Sequence, residues 1–350
     1  MSKKYIIPIF VPHYGCPNDC VFCNQNKITG STTNVTPEIV KETILEYLSY
    51  FRNKKNVEVA FYGGSFTAID MDIQISLLKI ACEFKNKNYI KEIRLSTRPD
   101  CINDQILENL KTYKVDTIEL GVQSLDRGVL QLSNRGHNIE CVYEASNKIK
   151  EYGFNLGLQQ MIGLPGDNIE KDIYTASEFI KLNPYCVRIY PTLVIKDTKL
   201  ESDFNKGLYD SLSIDEAVVR TKEILKLYIK NDINVIRVGL QPTEEINSGA
   251  SVVSGPFHPA FRQLVESEII LDAIVNFFEE KNLMENSDII LLSSGKNISN
   301  IAGQKGINKD KLKRILNIKN LRLKEENLDD NSVKVIYNDK IEIINLKKYM

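Results

Sequence analysis

Three thiols open the case for chemistry: Cys16, Cys20 and Cys23 stand in the run Cys16-Pro-Asn-Asp-Cys20-Val-Phe-Cys23, just after an apolar stretch from Tyr5 to Val11. Separations of three residues and then two let one turn aim all three sulfurs at a single point. Thiolates are the usual ligands of iron–sulfur clusters, and a cubane cluster takes four of them. Three leave the fourth iron to a ligand that is not protein, so such a centre can do chemistry as well as carry electrons. A tetrahedral zinc site needs a fourth Cys or His close by. His13 is the one candidate in that neighbourhood.

A second constellation follows. Val57 to Tyr62 reads as a strand and runs straight into Gly63-Gly64-Ser65-Phe66-Thr67. Paired glycines after a strand let the backbone approach a ligand closely, with free amides and carbonyls facing it. Polar residues also gather at the ends of later apolar runs. They include Ser96, Arg98 and Asp100, then Glu119 and Gln123, then Asn134-Arg135-Gly136-His137, then Gln159 and Gln160, and finally Arg188 and Tyr190 to Thr198. Each alone is an ordinary turn. His258, in a rigid Gly-Pro-Phe-His-Pro segment, reads as structural.

The elements that must position these residues alternate regularly. Strands are expected over Tyr5–Val11, Val57–Tyr62, Glu92–Ser96, Thr117–Val122, Asn155–Gly163, Cys186–Tyr190 and near Asn234–Val238. Amphipathic helices are expected between them, the first opened by Thr36 as cap and Pro37 at its first position. Repeated β-then-α units imply a parallel sheet with right-handed crossovers. The expected fold is therefore α/β, a partial (β/α)6-type barrel over residues 1–281. In such barrels chemistry sits on loops at the carboxyl ends of strands, where the cysteine and glycine runs fall. From residue 282 to 350 the texture changes to short apolar runs among Lys and Asn, read as a small basic α/β appendage. Between Gly295 and Lys324 seven Lys and two Arg face one acidic residue, Asp310, in a chain whose net charge is −1. That surplus suits either a solvated face or a surface for phosphates. Ile298, Ala302, Gly306, Ile307, Leu312 and Ile315 fall at spacings resembling a helix-turn-helix.

Composition limits the rest. A chain of 350 residues, 43% hydrophobic, can bury a full core. No apolar run reaches the length of a membrane span, and the start lacks the apolar core of a signal peptide. Seven cysteines, an odd number, argue against a disulfide framework. The expectation is a cytoplasmic protein in a reducing compartment, with no membrane partner.

The cysteine spacing, Phe22 and the Gly63–Ser65 turn together resemble the radical S-adenosylmethionine (SAM) superfamily. The Arg98-Pro-Asp100 segment, the Gly121-Val-Gln123-Ser124 strand end, Arg135-Gly-His137 and Tyr190-Pro-Thr-Leu-Val194 resemble the radical SAM module of the elongator catalytic subunit, a tRNA wobble-uridine modifying enzyme. The likeness covers roughly residues 5 to 270, and is more distant to oxygen-independent coproporphyrinogen oxidase. It implies a [4Fe–4S] cluster on Cys16, Cys20 and Cys23, with SAM on its open iron. It implies that Gly63, Gly64 and Ser65 hold the SAM amine and that Phe22 flanks the adenine. Gln123 would bond the ribose, with Gln159 nearby, and Arg135 would reach the carboxylate. An external one-electron reductant of flavodoxin or ferredoxin type would supply the electron that splits SAM to a 5′-deoxyadenosyl radical. That radical would abstract hydrogen from a substrate, with a tRNA base as the RNA candidate. Ser96 and Gln159 replace acidic residues of the coproporphyrinogen oxidase pattern, and Arg188 replaces a lysine of the elongator pattern. Only about 70 residues follow the barrel, too few for the elongator acetyltransferase domain. Alternatives are a tetrapyrrole-handling enzyme or haem carrier, and a non-enzymatic iron–sulfur protein that binds nucleic acid.

Overall fold

The computed structural model describes residues 4–11, 19–24, 35–51, 56–241, 251–282, 288–338 and 340–350. Cys16 and His13 lie outside them. The chain divides into two compact units, residues 1–214 with 233–257, and residues 215–232 with 258–350.

The first unit is a curled, open half-barrel. Its seven strands lie side by side in chain order: β1 (Tyr5–Val11), β2 (Val57–Gly63), β3 (Glu92–Thr97), β4 (Thr117–Gln123), β5 (Asn155–Ile162), β6 (Cys186–Pro191) and β8 (Val235–Val238). A two-stranded ribbon, β7 (Val194–Ile195) with β9 (Val252–Ser254), stands beside them. Every pair in the large sheet is parallel. A parallel sheet is covered on both faces, so its central strands are buried: in β4 all seven residues are buried, while the edge strand β1 exposes Ile6 and Phe10. Crossover helices start where a short polar side chain can take a free backbone N–H. Thr36 caps the helix Pro37–Tyr50, Asn103 caps Asp104–Thr112, Asn138 caps Ile139–Glu151 and Asn168 caps Ile169–Lys181. This punctuation sets the loop lengths and keeps the polar strand ends on one rim.

In the second unit, the helix Phe261–Glu280 packs Ile270, Ile274, Phe277 and Phe278 against a four-stranded sheet. Its order is β11 (Asn320–Glu325), β10 (Asp288–Ser293), β12 (Ser332–Tyr337), β13 (Lys340–Asn345), with β10 and β11 parallel and the other pairs antiparallel. The change of texture near residue 282 falls inside this unit, after its long helix. The spacing that resembles a helix-turn-helix becomes two helices, Gly295–Ala302 and Ile307–Ile315, joined through Gly303, Lys305 and Gly306 at positive φ. Ile301, Leu312 and Leu316 are the buried anchors there, whereas Ile307 and Ile315 are exposed. Two of the nine cations in this stretch are tied to acids of the long helix, Lys296 to Glu266 at 3.5 Å and Lys311 to Glu268 at 2.7 Å. Among the described residues no helix is long and apolar enough to cross a membrane.

Candidate functional site

The Gly63–Ser65 turn is fixed by its neighbour strand. Val11 pairs with Gly63 at the end of β1, and the Val11 carbonyl accepts the Gly64 N–H at 3.0 Å. Gly63 has φ +108°, and a Cβ there would stand 2.4 Å from the Val11 oxygen. Only glycine fits. Behind the turn, the Thr67 hydroxyl meets the Thr97 hydroxyl at 2.6 Å and donates to the Cys101 carbonyl, while Gln74 Nε2 donates to the carbonyl of Ile69 at 2.8 Å.

The segment 19–24 carries two of the three thiols. The Cys23 N–H closes a turn on the Cys20 carbonyl at 2.9 Å, so the sulfurs share a short loop. Asn134 Nδ2 donates to the Asp19 carbonyl at 2.8 Å, and the Val21 N–H donates to Ser133 at 3.2 Å. On the other side, the Leu200 N–H donates to the Val21 carbonyl at 2.7 Å, and Val21 and Phe22 pack with Val194, Leu200 and Tyr209. Neither cysteine is in a disulfide.

One cavity at the carboxyl ends of β2 to β5 is lined by Cys20, Phe22, Cys23, Gly63, Gly64, Ser65, Gln123, Arg135 and Gln159, with Ser96, Thr97, Arg98 and Gly121 beside them. Of the residues that the resemblance assigns to the cluster and SAM, Cys16 alone is missing from this set, being outside the described residues. Among those residues no group of three His, Cys, Asp or Glu side chains converges on a metal position. The cavity wall has unspent hydrogen-bonding capacity. Gln123 Oε1 and Arg135 Nε are buried without a partner among the described residues. Gln123 itself sits at φ +74°, at a bulge between β4 and β5. A non-glycine residue held there stores strain, a feature that clusters at ligand sites. Arg135 donates from Nη1 to the Cys20 sulfur at 3.4 Å and from Nη2 to the Gly121 carbonyl. A cofactor rich in hydroxyls, amine and carboxylate, bound beside a thiolate-held cluster, fits this donor and acceptor set.

Two features escape sequence reasoning. Arg98 is 1% exposed and grips Asp100 with Nε and Nη2, both at 2.9 Å, while Nη2 also holds the Arg135 carbonyl at 2.8 Å. Burial raises the Asp100 pKa, but Arg98 outweighs it and keeps the carboxyl below its usual range. His137 is buried close to both arginines; burial first, then Arg135 and Arg98, push its pKa down to about 3.

The second is an ion network inside the barrel. Arg94 joins Glu58 at 3.0 Å and Glu119; Arg188 joins Glu119 at 2.6 and 3.1 Å and the Tyr62 hydroxyl at 2.8 Å. Gln159 Nε2 donates to Glu119 Oε2 at 3.1 Å and to Ser96 Oγ at 3.3 Å. A carboxylate only accepts, so the Gln159 nitrogen must face Glu119, leaving its oxygen for the cavity. The negative charge that Ser96 and Gln159 do not carry is thus present next door on β4, already neutralised by arginine.

A second cavity adjoins the first through Phe22, Cys23, Gln123 and Gln159, and is walled by Met161, Tyr190, Pro191, Leu193, Ile195 and Leu240. Among the described residues no Lys or Arg lines it.

The human Elongator complex protein 3 is 35% identical over 267 residues, covering 63% of this chain and 49% of that protein. The tRNA uridine(34) acetyltransferase of Dehalococcoides mccartyi is 27% identical over 228 residues, 55% of this chain and 50% of its own. The chain spans about half the length of these relatives. The solved structure of Methanocaldococcus infernus Elp3 superposes with a TM-score of 0.61 at 20% identity, over 81% of this chain and 65% of that one, a likeness of fold. The family model for the radical SAM superfamily matches residues 10–178, and the model for the radical SAM C-terminal domain continues from 184 to 270. With the half-barrel, the thiol loop and the glycine turn falling inside those matches, the chain belongs to the radical SAM superfamily.

Proposed function

We propose that this protein cleaves SAM reductively at a [4Fe–4S] cluster and abstracts a hydrogen atom from a neutral, planar group, a base of tRNA. The observation that carries the reading is the adjoining pair of cavities, one polar and thiol-lined, the other apolar and, among the described residues, without a cationic side chain. When bound, cluster and SAM supply the radical chemistry, which belongs to the cofactor. Cys16, Cys20 and Cys23 would hold the cluster. Gly63, Gly64 and Ser65 would take the SAM amine, Arg135 its carboxylate, Gln123 and Gln159 its ribose hydroxyls, and Phe22 would flank the adenine. Phe22, Gln123 and Gln159 line both cavities, so the residues that orient the cofactor also face whatever enters the second. Its apolar wall excludes water. A tetrapyrrole with many carboxylates would find no cation there, which favours a base. The relatives' names direct the choice of base to a tRNA uridine; a cytoplasmic setting and an electron donor of flavodoxin or ferredoxin type are part of the same proposal.

Anaerobic reconstitution tests the chemistry. Wild type is expected to show broad visible absorbance and to make 5′-deoxyadenosine from SAM and dithionite, and Cys20→Ala to do neither. Absence of 5′-deoxyadenosine from cluster-loaded wild type would overturn the reading. Mass spectrometry of tRNA nucleosides from a deletion strain tests the substrate. If the basic stretch from Lys296 to Lys324 tracks RNA phosphates, replacing Lys309, Lys311, Lys313 and Arg314 with neutral residues should flatten the salt dependence of RNA binding by about 0.7 log units per lost contact. RNA binding and phenotype that survive Cys20→Ala and Gly64→Ala would favour a binding protein instead, and RNA affinity unaltered in the quadruple variant would remove the basic stretch from the reading.

A further inference from the structure

We propose that Arg135 sets the reduction potential of the cluster on the Cys20 loop, by donating a hydrogen bond to the Cys20 sulfur. The inference rests on the reading that these cysteines hold a cluster, and it goes beyond the role toward the SAM carboxylate that the family resemblance implies.

Arg135 Nη1 lies 3.4 Å from Cys20 Sγ, and both residues are buried. Arg135 is held through both its side chain and its backbone. Nη2 is anchored on the Gly121 carbonyl, the Arg135 N–H donates to Leu130 at 3.0 Å, and the Arg135 carbonyl accepts from Arg98. Arg98 is in turn locked on Asp100. A Cβ on Gly121 would stand 3.0 Å from Arg135 Nη2 and 3.1 Å from Gln123 Nε2, close enough to press on both side chains.

The physical consequence follows from charge. Hydrogen bonds to cluster sulfurs and the net charge around them set the potential of an iron–sulfur centre. Reduction adds one electron from the external reductant, with no bond formed or broken, and makes the cluster more negative. A fixed cation against a ligand sulfur in a low-dielectric site favours that reduced form, so Arg135 raises the potential. The arginine that would hold SAM would then also make the electron easier to deliver.

The test is an anaerobic redox titration followed by electron paramagnetic resonance, on reconstituted protein with SAM absent. Iron content and melting temperature are checked for each variant. Arg135→Gln is expected to move the potential clearly downward. Arg135→Lys, which keeps the charge and loses the forked geometry, should fall between. Gly121→Ala provides an independent variant, because it displaces the guanidinium while leaving its charge in place, and it too should lower the potential. Potentials equal to wild type in Arg135→Gln and Gly121→Ala, with only SAM affinity reduced, would overturn the proposal and leave Arg135 acting on SAM alone. If Arg135→Gln does not load a cluster, the Lys and Gly121 variants decide in the same way. Wild type that loads no cluster would instead overturn the reading of the cysteine loop beneath it.

Discussion

Two groups of buried polar side chains sit on one sheet, and they differ in whether the residue at the centre has spent its hydrogen-bonding capacity, although Glu58 Oε2, at the edge of the interior group, is without a partner among the described residues. In the barrel interior Glu119 is saturated: Oε1 takes Arg94 and Arg188, and Oε2 takes Arg188 and Gln159. At the rim, Gln123 Oε1 and Arg135 Nε are equally buried and find no partner among the described residues. An orphaned buried polar atom costs about 1–3 kcal/mol. The interior group therefore braces the sheet, while the rim group is left incomplete in a way that a ligand can repair.

The sharpest way to break this contrast is Glu119→Ala. It leaves two arginines side by side in the interior and should cost about 3–5 kcal/mol, read as a lower urea midpoint. A loss under about 1 kcal/mol would show that the interior group is not a brace. Acid should separate the two regions next. Burial raises the Glu119 pKa, yet Arg188 and Arg94 outweigh it and hold the carboxyl below its usual range. Its contribution is therefore present above the ordinary carboxylate pKa and fades only as the pH falls through the lowered one.

His137, beside the rim, responds earlier. The unfolded chain takes up a proton below about pH 6.5, whereas the folded imidazole stays neutral down to about 3. Stability should fall by about 1.4 kcal/mol per pH unit as the pH drops through that window. His137→Phe should remove that slope in pH-dependent denaturation, and an unchanged slope would place the acid sensitivity elsewhere. Gln123→Gly tests the rim with opposite signs. Relief of the φ +74° strain should stabilise the apoprotein by about 1 kcal/mol while SAM binding weakens. Loss of both together would mean the side chain braces the fold. Arg127→Ala, which breaks an exposed pair with Glu140, should stay within about 0.5 kcal/mol by the same denaturation.

The same contrast explains what the sequence discloses. β1 to β6 are legible because strands buried on both faces are apolar runs closed by turn residues, as in Thr117–Gln123. β11 is hidden, because Asn320-Leu-Arg-Leu-Lys-Glu exposes one face at a sheet edge and reads as polar linker. The rim residues Gly63, Gln123, Arg135 and Gln159 stand out through motif and strand end. Glu58 and Arg94 do not, since a charge inside a strand is ordinarily read as facing water. The signal available was position for Glu58, Glu119 and Arg188, each a charge inside a mostly apolar strand, whereas Arg94 lies in the half-polar run Glu92–Thr97 and had no such signal. Arg98 was visible only as part of an Arg-Pro-Asp turn, and its grip on the Arg135 carbonyl is a tertiary fact.

The contact between Val11 and the Gly63–Gly64 turn also has a history in time. During synthesis Cys16, Cys20 and Cys23 leave the ribosome well before β2 exists, and a parallel partner so distant in sequence closes slowly. For that interval the thiols are present while the turn expected to receive SAM is not. A metal delivered then would meet a half-built pocket, so productive maturation belongs after β2 docks against β1. If these thiols hold the proposed cluster, its loading would therefore favour chains in which β2 has already docked against β1.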